Sequence, residues 1–112
     1  MKLTQQLDYL FNPGSVALIG ASNNLAKWGF HVLSLLITKG GRHIYPINRN
    51  EAEVQGLKAY PSVSQVPGPV DLAVITVPFV EVPAAMKDCA RKGVKVAVVI
   101  SGGFAETGNE GA

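Results

Sequence analysis

The 112-residue chain is 47% hydrophobic and 16% charged, a composition that belongs to a globular domain and excludes an intrinsically disordered one. Ten lysines and arginines against eight carboxylates leave a net charge of +2, and they are scattered rather than blocked, so there is no basic stripe for nucleic acid. One cysteine, Cys89, excludes an internal disulfide framework and a cysteine-based zinc site, and it reads as a small buried residue in a helix. The length predicts one domain. The opening MKLTQQLDYLFNP has one lysine and no continuous apolar core, so it does not read as a signal peptide. No apolar run reaches membrane-spanning length, and the expectation is a soluble, cytoplasmic chain without a membrane partner.

Leu3, Leu7, Leu10 and Phe11 stand at helical spacing, and Pro13-Gly14 ends that helix. SVALIG, residues 15–20, is apolar almost throughout, as a strand covered on both faces of a parallel sheet must be. Residues 27–39 have helix length, with Val32, Leu33, Leu36 and Ile37 as the apolar face and Gly40 as the stop. HIYPIN predicts a second strand with Pro46 near its end, and GLKAYPS a brief third that Pro61 closes. DLAVITVP is the clearest strand, ended by Pro78. A helix follows from about Pro83 to Lys92, with Gly93 as its cap, and KVAVVIS is the last strand. The spacing Thr107-Gly108-Asn109-Glu110 is that of a capping box, which predicts a further helix and reads the polypeptide as the front of a larger protein.

Strands alternating with helices predict a doubly wound α/β fold, a mainly parallel sheet of about five strands with flanking helices. Right-handed crossovers gather the strand carboxyl ends on one edge, where ligands bind at the switch in strand order. Gly20-Ala21-Ser22 lies there and begins like the phosphate turn Gly-x-Gly-x-x-Gly, but Ser22 stands at the second glycine. Small residues before a helix N-terminus fit a phosphate, with Ser22 and Lys27 as added donors; an ordinary strand-to-helix turn has the same residues. After the second strand, where an NAD domain carries Asp or Glu for the ribose, the chain has Asn48 and Arg49. Such residues suit a ribose bearing a phosphate, which NADP and coenzyme A share; a solvated loop charge is the other reading of Arg49.

Taken in order, LFNPGSVALIGAS, KWG, IYPINRN, GLKAYPSV, PVDLAVITVP and KGVKVAVVISGGFAETG resemble the CoA-binding domain of NDP-forming acyl-CoA synthetases. That group includes the ADP-forming acetate–CoA ligases, to which the likeness is nearest, and more distantly the alpha subunit of succinyl-CoA synthetase. The resemblance spans residues 10–110 and implies a Rossmann-like domain holding CoA along the strand carboxyl edge. It implies the phosphate-turn role for Gly20, Ala21, Ser22, Lys27 and Gly29, and an adenosine and ribose-phosphate role for Pro46, Asn48 and Arg49. It further implies that Val77 and Pro78 line the adenine side, and that Ile100, Ser101 and Gly102 touch CoA after the last strand. The succinyl-CoA synthetase branch has a lysine where Asn48 falls, so the individual phosphate contact departs from that branch.

In the family the phosphorylated histidine lies in a later domain, and ATP, ADP and Mg act only in the complete enzyme, with the remaining ligase domains or an ATP-grasp subunit as partners. His31 and His43 do not match that histidine and read as structural or solvent-facing. No metal set, P-loop or nucleophile triad can be assembled, so this segment is expected to bind and not to catalyse. Trp28 reads as core packing ahead of a ligand cover. A stand-alone or regulatory CoA-binding module, for example one fused to an acetyltransferase, and an NADP-binding domain are the alternative functions.

Overall fold

The computed structural model describes residues 2–100. In chain order the elements are α1 (Leu3–Phe11), β1 (Ser15–Ile19), α2 (Trp28–Lys39), β2 (His43–Ile47), β3 (Glu53–Val54), β4 (Leu57–Lys58), β5 (Leu72–Ile75), α3 (Val82–Lys92) and β6 (Val96–Val99). Short 3-10 turns occupy Val63–Gln65 and Phe79–Glu81. The predicted capping sequence at Thr107 and Glu110 lies outside the described residues.

β1 is buried at every position, which its unbroken apolar sequence anticipates. It pairs in parallel with β2 on one side and β5 on the other, and β6 extends the sheet beyond β5, giving the order β2-β1-β5-β6. Alternation along the strands sorts the core into two layers. Val16, Leu18, Leu72 and Val74 pack with Leu33 of α2, whereas Ala17, Ile19, Ala73 and Ile75 pack with Cys89 of α3. The two crossover helices thus cover opposite faces, as right-handed connections running in opposite directions from β1 require.

The sheet has four strands among the described residues in place of about five. GLKAYPS supplies β4, which pairs antiparallel with β3 in a separate two-stranded hairpin. It meets the main sheet where Tyr60 bridges Ile47, its N–H donating to the Pro46 carbonyl at 2.9 Å and its carbonyl accepting from Asn48 N–H at 3.0 Å. Pro61 follows with no N–H to offer, so the ladder ends there. Pro46 itself sits within β2 at no loss. Its carbonyl points outward to Tyr60, so the missing N–H faces away from β1 on the edge of the sheet.

The predicted helix ends hold. Gly40 closes α2 at φ +64° and Gly93 closes α3 in the left-handed region at φ +82°, its N–H shared between the Cys89 and Ala90 carbonyls. The start of α2 is set by a closer contact. A Cβ on Gly29 would lie 1.8 Å from the Gly20 carbonyl oxygen, so the first turn of the helix rests directly on the backbone leaving β1. Gly20 is constrained as well, at φ +96° with the Thr76 hydroxyl 2.6 Å from where its Cβ would stand.

Two predictions follow from this packing. Gly29→Ala must push α2 off β1, and we expect a loss of at least about 3 kcal/mol in urea unfolding, whereas Gly41→Ala, strained at φ +80° but with nothing within 4 Å, loses only about 1–2 kcal/mol. Burial, and then the charge of Asp88, push the Cys89 thiol from its ordinary 9.0 up to about 11. Between those values the unfolded chain releases the thiol proton and the native chain keeps it, so rising pH favours unfolding. Unfolding free energy measured across that window is expected to fall more steeply in the native sequence than in Cys89→Ala.

Candidate functional site

The chain leaves β1 toward β2 on one side and returns to β5 on the other, so the exit loops of β1 and β5 diverge and open a crevice at the switch in strand order. A cleft of about 800 Å³ occupies this place. Of the residues singled out from sequence, Gly20, Ala21, Ser22, Lys27, Gly29, Asn48, Arg49, Val77 and Pro78 all line it. Pro46 is fully buried in β2 and does not. Ile100 donates its N–H to the Ile75 carbonyl at 2.8 Å and packs half-buried on the α2 side of the sheet, also off the cleft wall. Ser101 and Gly102 lie outside the described residues.

The floor of the cleft is tied together by backbone groups. Gly20 and Ala21 both donate N–H to the Ile47 carbonyl at 3.2 Å, fixing the turn after β1 to the end of β2. The Ser22 hydroxyl oxygen accepts from Asn24 N–H at 2.9 Å, and Asn24 Oδ1 accepts from Ala26 N–H at 2.9 Å. These two local turns deliver the chain to Lys27, the N-cap of α2. No side chain caps this helix, and among the described residues the Trp28 and Gly29 N–H groups have no acceptor. A helix start with open donors, the positive end of the dipole and a lysine beside it is a place for an anion.

Asn48 turns out to be a staple. Its Nδ2 donates to the Ala21 carbonyl at 2.9 Å, and its Oδ1 accepts from the N–H groups of Asn50 and Glu51 at 2.8 and 2.9 Å. Arg49, by contrast, reaches across the mouth, with Nη2 3.2 Å from Glu81 Oε1 and side chains 76% and 40% exposed. A pair so open to water contributes only about 0–1 kcal/mol, so the guanidinium can exchange its carboxylate for another anion at little cost. Sequence reasoning missed Glu81, although it lies in the exit loop of β5, the loop that topology places over the cleft.

Thr76 was missed as well. Its hydroxyl donates to the Ile19 carbonyl at 2.9 Å and joins the ends of β5 and β1 under the cleft. The far wall is mostly apolar, with Val63, Val80, Ala84 and Ala85, and also carries Ser62 and Asp88. Trp28 corrects an expectation. It is 44% exposed at the rim rather than packed in the core, because the first turn of α2 turns Gly29, not Trp28, toward β1. The histidines stand apart from the cleft. His31 Nε2 is 2.7 Å from the Leu25 carbonyl, and His43 stacks on Tyr45.

The cleft can therefore hold a ligand with an anionic group at the head of α2, an apolar portion against α3, and a second anion within reach of Arg49. No group of three His, Cys, Asp or Glu among the described residues could hold a metal ion. No described helix is long and apolar enough to cross a membrane.

Similarity to known proteins points the same way. The chain is 51% identical over 105 residues to the alpha subunit of acetate–CoA ligase [ADP-forming] II from Pyrococcus furiosus, covering 94% of this chain and 23% of that one. It is 35% identical over 103 residues to 4-hydroxybutyrate–CoA ligase [ADP-forming] from Nitrosopumilus maritimus, covering 92% of this chain and 15% of the relative. The fold matches the dinucleotide-forming acetyl-coenzyme A synthetase 1 of Ca. Korarchaeum cryptofilum, solved with phosphate and ADP, at a TM-score of 0.84 and 48% identity over 95% of this chain and 23% of that one. The chain thus spans less than a quarter of the length of these relatives. Residues 14–111 match the CoA binding domain family, and the chain belongs to that family.

Proposed function

We propose that the cleft binds coenzyme A with its diphosphate at the head of α2 and its adenosine lying toward the exit loops of β2 and β5. The observation that carries this is the uncapped start of α2, with free N–H groups and Lys27, opening into a cleft of about 800 Å³ in a CoA binding domain. Gly20 and Gly29 seat the helix start against the exit of β1, Ala21 is small enough to leave room for the diphosphate, and Ser22 and Lys27 add donors. Arg49 exchanges Glu81 for the ribose phosphate. Asn48 and Pro46 hold the loop that carries Arg49, and Val77 and Pro78 face the adenine. The resemblance adds Ile100, Ser101 and Gly102 to the same reading as the loop that touches CoA after β6.

We further propose that the domain serves an ADP-forming acid–CoA ligase, in which a carboxylic acid, CoA and ATP give acyl-CoA, ADP and phosphate. Acyl phosphate and phosphohistidine intermediates, ATP and Mg belong to other ligase domains or an ATP-grasp subunit, in the cytoplasm where CoA and ATP are available. The share of the work done here is orientation. A thiol held at a fixed place relative to the acyl phosphate reacts with the advantage of an intramolecular step. The acyl group is not read by this cleft, in keeping with similarity to both acetate and 4-hydroxybutyrate ligases.

The test is calorimetric titration with CoA, dephospho-CoA, NADP and NAD. CoA is expected to bind best, with dephospho-CoA roughly tenfold weaker, about 1.4 kcal/mol for one charge-assisted contact. Arg49→Gln should erase most of that gap while leaving dephospho-CoA binding close to its original value. Binding of NADP without CoA would overturn the proposal.

A further inference from the structure

The hairpin of β3 and β4 is joined by two residues, Gln55 at φ +50° and Gly56 at φ +84°. A two-residue turn of this hand favours Asn, Asp or Gly at its first position. Gln55 is the one non-glycine residue with positive φ among those described, so its side chain is kept there against a backbone preference. What that side chain does is specific. Its Nε2 donates to the Phe30 carbonyl at 2.9 Å and reaches the Ser22 carbonyl at 3.5 Å, while its Oε1 accepts from the Ser34 hydroxyl at 3.0 Å. The main chain adds to this grip. Gln55 N–H donates to Asn23 Oδ1 at 2.8 Å, and Asn23 Nδ2 donates to the Glu53 carbonyl at 3.1 Å.

The hairpin therefore holds the stretch between Gly20 and Gly29 at both ends, at Ser22 and Asn23 where it begins and at Phe30 and Ser34 just beyond it. Residues 23–28 are all exposed and bring no core contacts of their own to fix their course. We propose that Gln55 is a positioning residue for the CoA diphosphate, acting through the loop and never touching the ligand itself. This rests on the diphosphate lying at the head of α2, as proposed above. It assigns the small hairpin a function: it is an external brace that adds to the loop's own turns at Ser22 and Asn24.

Gln55→Asn tests this, because asparagine suits the turn but its amide is one methylene too short to reach Phe30 and Ser34. Gln55→Gly removes the side chain with the turn conformation fully allowed. Both are expected to melt at or near the native temperature. Both should bind CoA and dephospho-CoA roughly five- to tenfold more weakly, by the same factor for each, since both ligands carry the diphosphate. The preference between the two ligands, set at Arg49, should stay unchanged, and amide exchange over residues 22–29 should quicken while that of β1 and β5 does not. Native affinities, a changed preference between the ligands, or unaltered exchange in the loop would each overturn the role of Gln55. Failure of the native chain to bind CoA would instead sink the CoA assignment, and the exchange measurement would still decide whether Gln55 braces the loop.

Discussion

The first turn of α2 sits on the carbonyl of Gly20 with no room between them, since even a methyl group on Gly29 would fall 1.8 Å from that oxygen. This contact fixes where the helix begins and aims its N-terminus at the exit of β1. Gly20 leaves the strand at φ +96°, and the Thr76 hydroxyl leaves no room there for a side chain. Everything between the two glycines is then forced outward as a loop. The open N–H groups at this helix start are held in place by two backbones in contact rather than by a capping side chain.

Around that contact the exit loops are stitched to one another by polar bonds that need no ligand. The Ile47 carbonyl takes the Gly20 and Ala21 amides, Asn48 takes the Ala21 carbonyl, and Thr76 takes the Ile19 carbonyl. Three strand ends are thereby held as one floor, beneath which β1 is buried on both faces. The rim is of another kind. Arg49 and Lys27 are exposed and Glu81 and Trp28 partly so, and the one ion pair among them is weak. A rigid floor with an exchangeable rim lets a ligand find preformed backbone donors and displace only side chains that hold each other loosely, which keeps the ordering cost of binding low.

The parts legible in the sequence are those that buried runs and glycine stops encode locally. SVALI and LAVI can only be strands covered on both sides, and Gly40 and Gly93 end their helices as read. The crevice followed from topology, which is why nine of the residues expected around it line one cleft. Contacts between distant positions were not legible. Asn48 reaches back to residue 21, and Arg49 and Glu81 are 32 positions apart, so nothing in a local pattern couples them. Asn48 was expected beside the adenosine and its ribose phosphate because of its place after β2, and no local pattern shows that its donor, Nδ2, is bonded to the Ala21 carbonyl. The hairpin escaped for a different reason. Its strands have two residues each, too few for alternation to show, and Gln55-Gly56 is not one of the pairs that mark a two-residue turn.

That hairpin also bears on the glycine missing from the turn after β1. In the dinucleotide fingerprint the first and third glycines are about five positions apart, and the short turn between them supports itself, with the middle glycine letting the diphosphate in. Here Gly20 and Gly29 play the outer roles, tight exit and close helix packing, but nine positions separate them. Ser22 stands at the second-glycine position and spends its hydroxyl oxygen on shaping the loop. A loop of that length needs more ties than the short turn, and it has them from within at Ser22 and Asn24 and from the hairpin at Gln55 and Glu53. The serine at the second-glycine position and the hairpin beside the loop thus both act on the course of the chain between the two glycines.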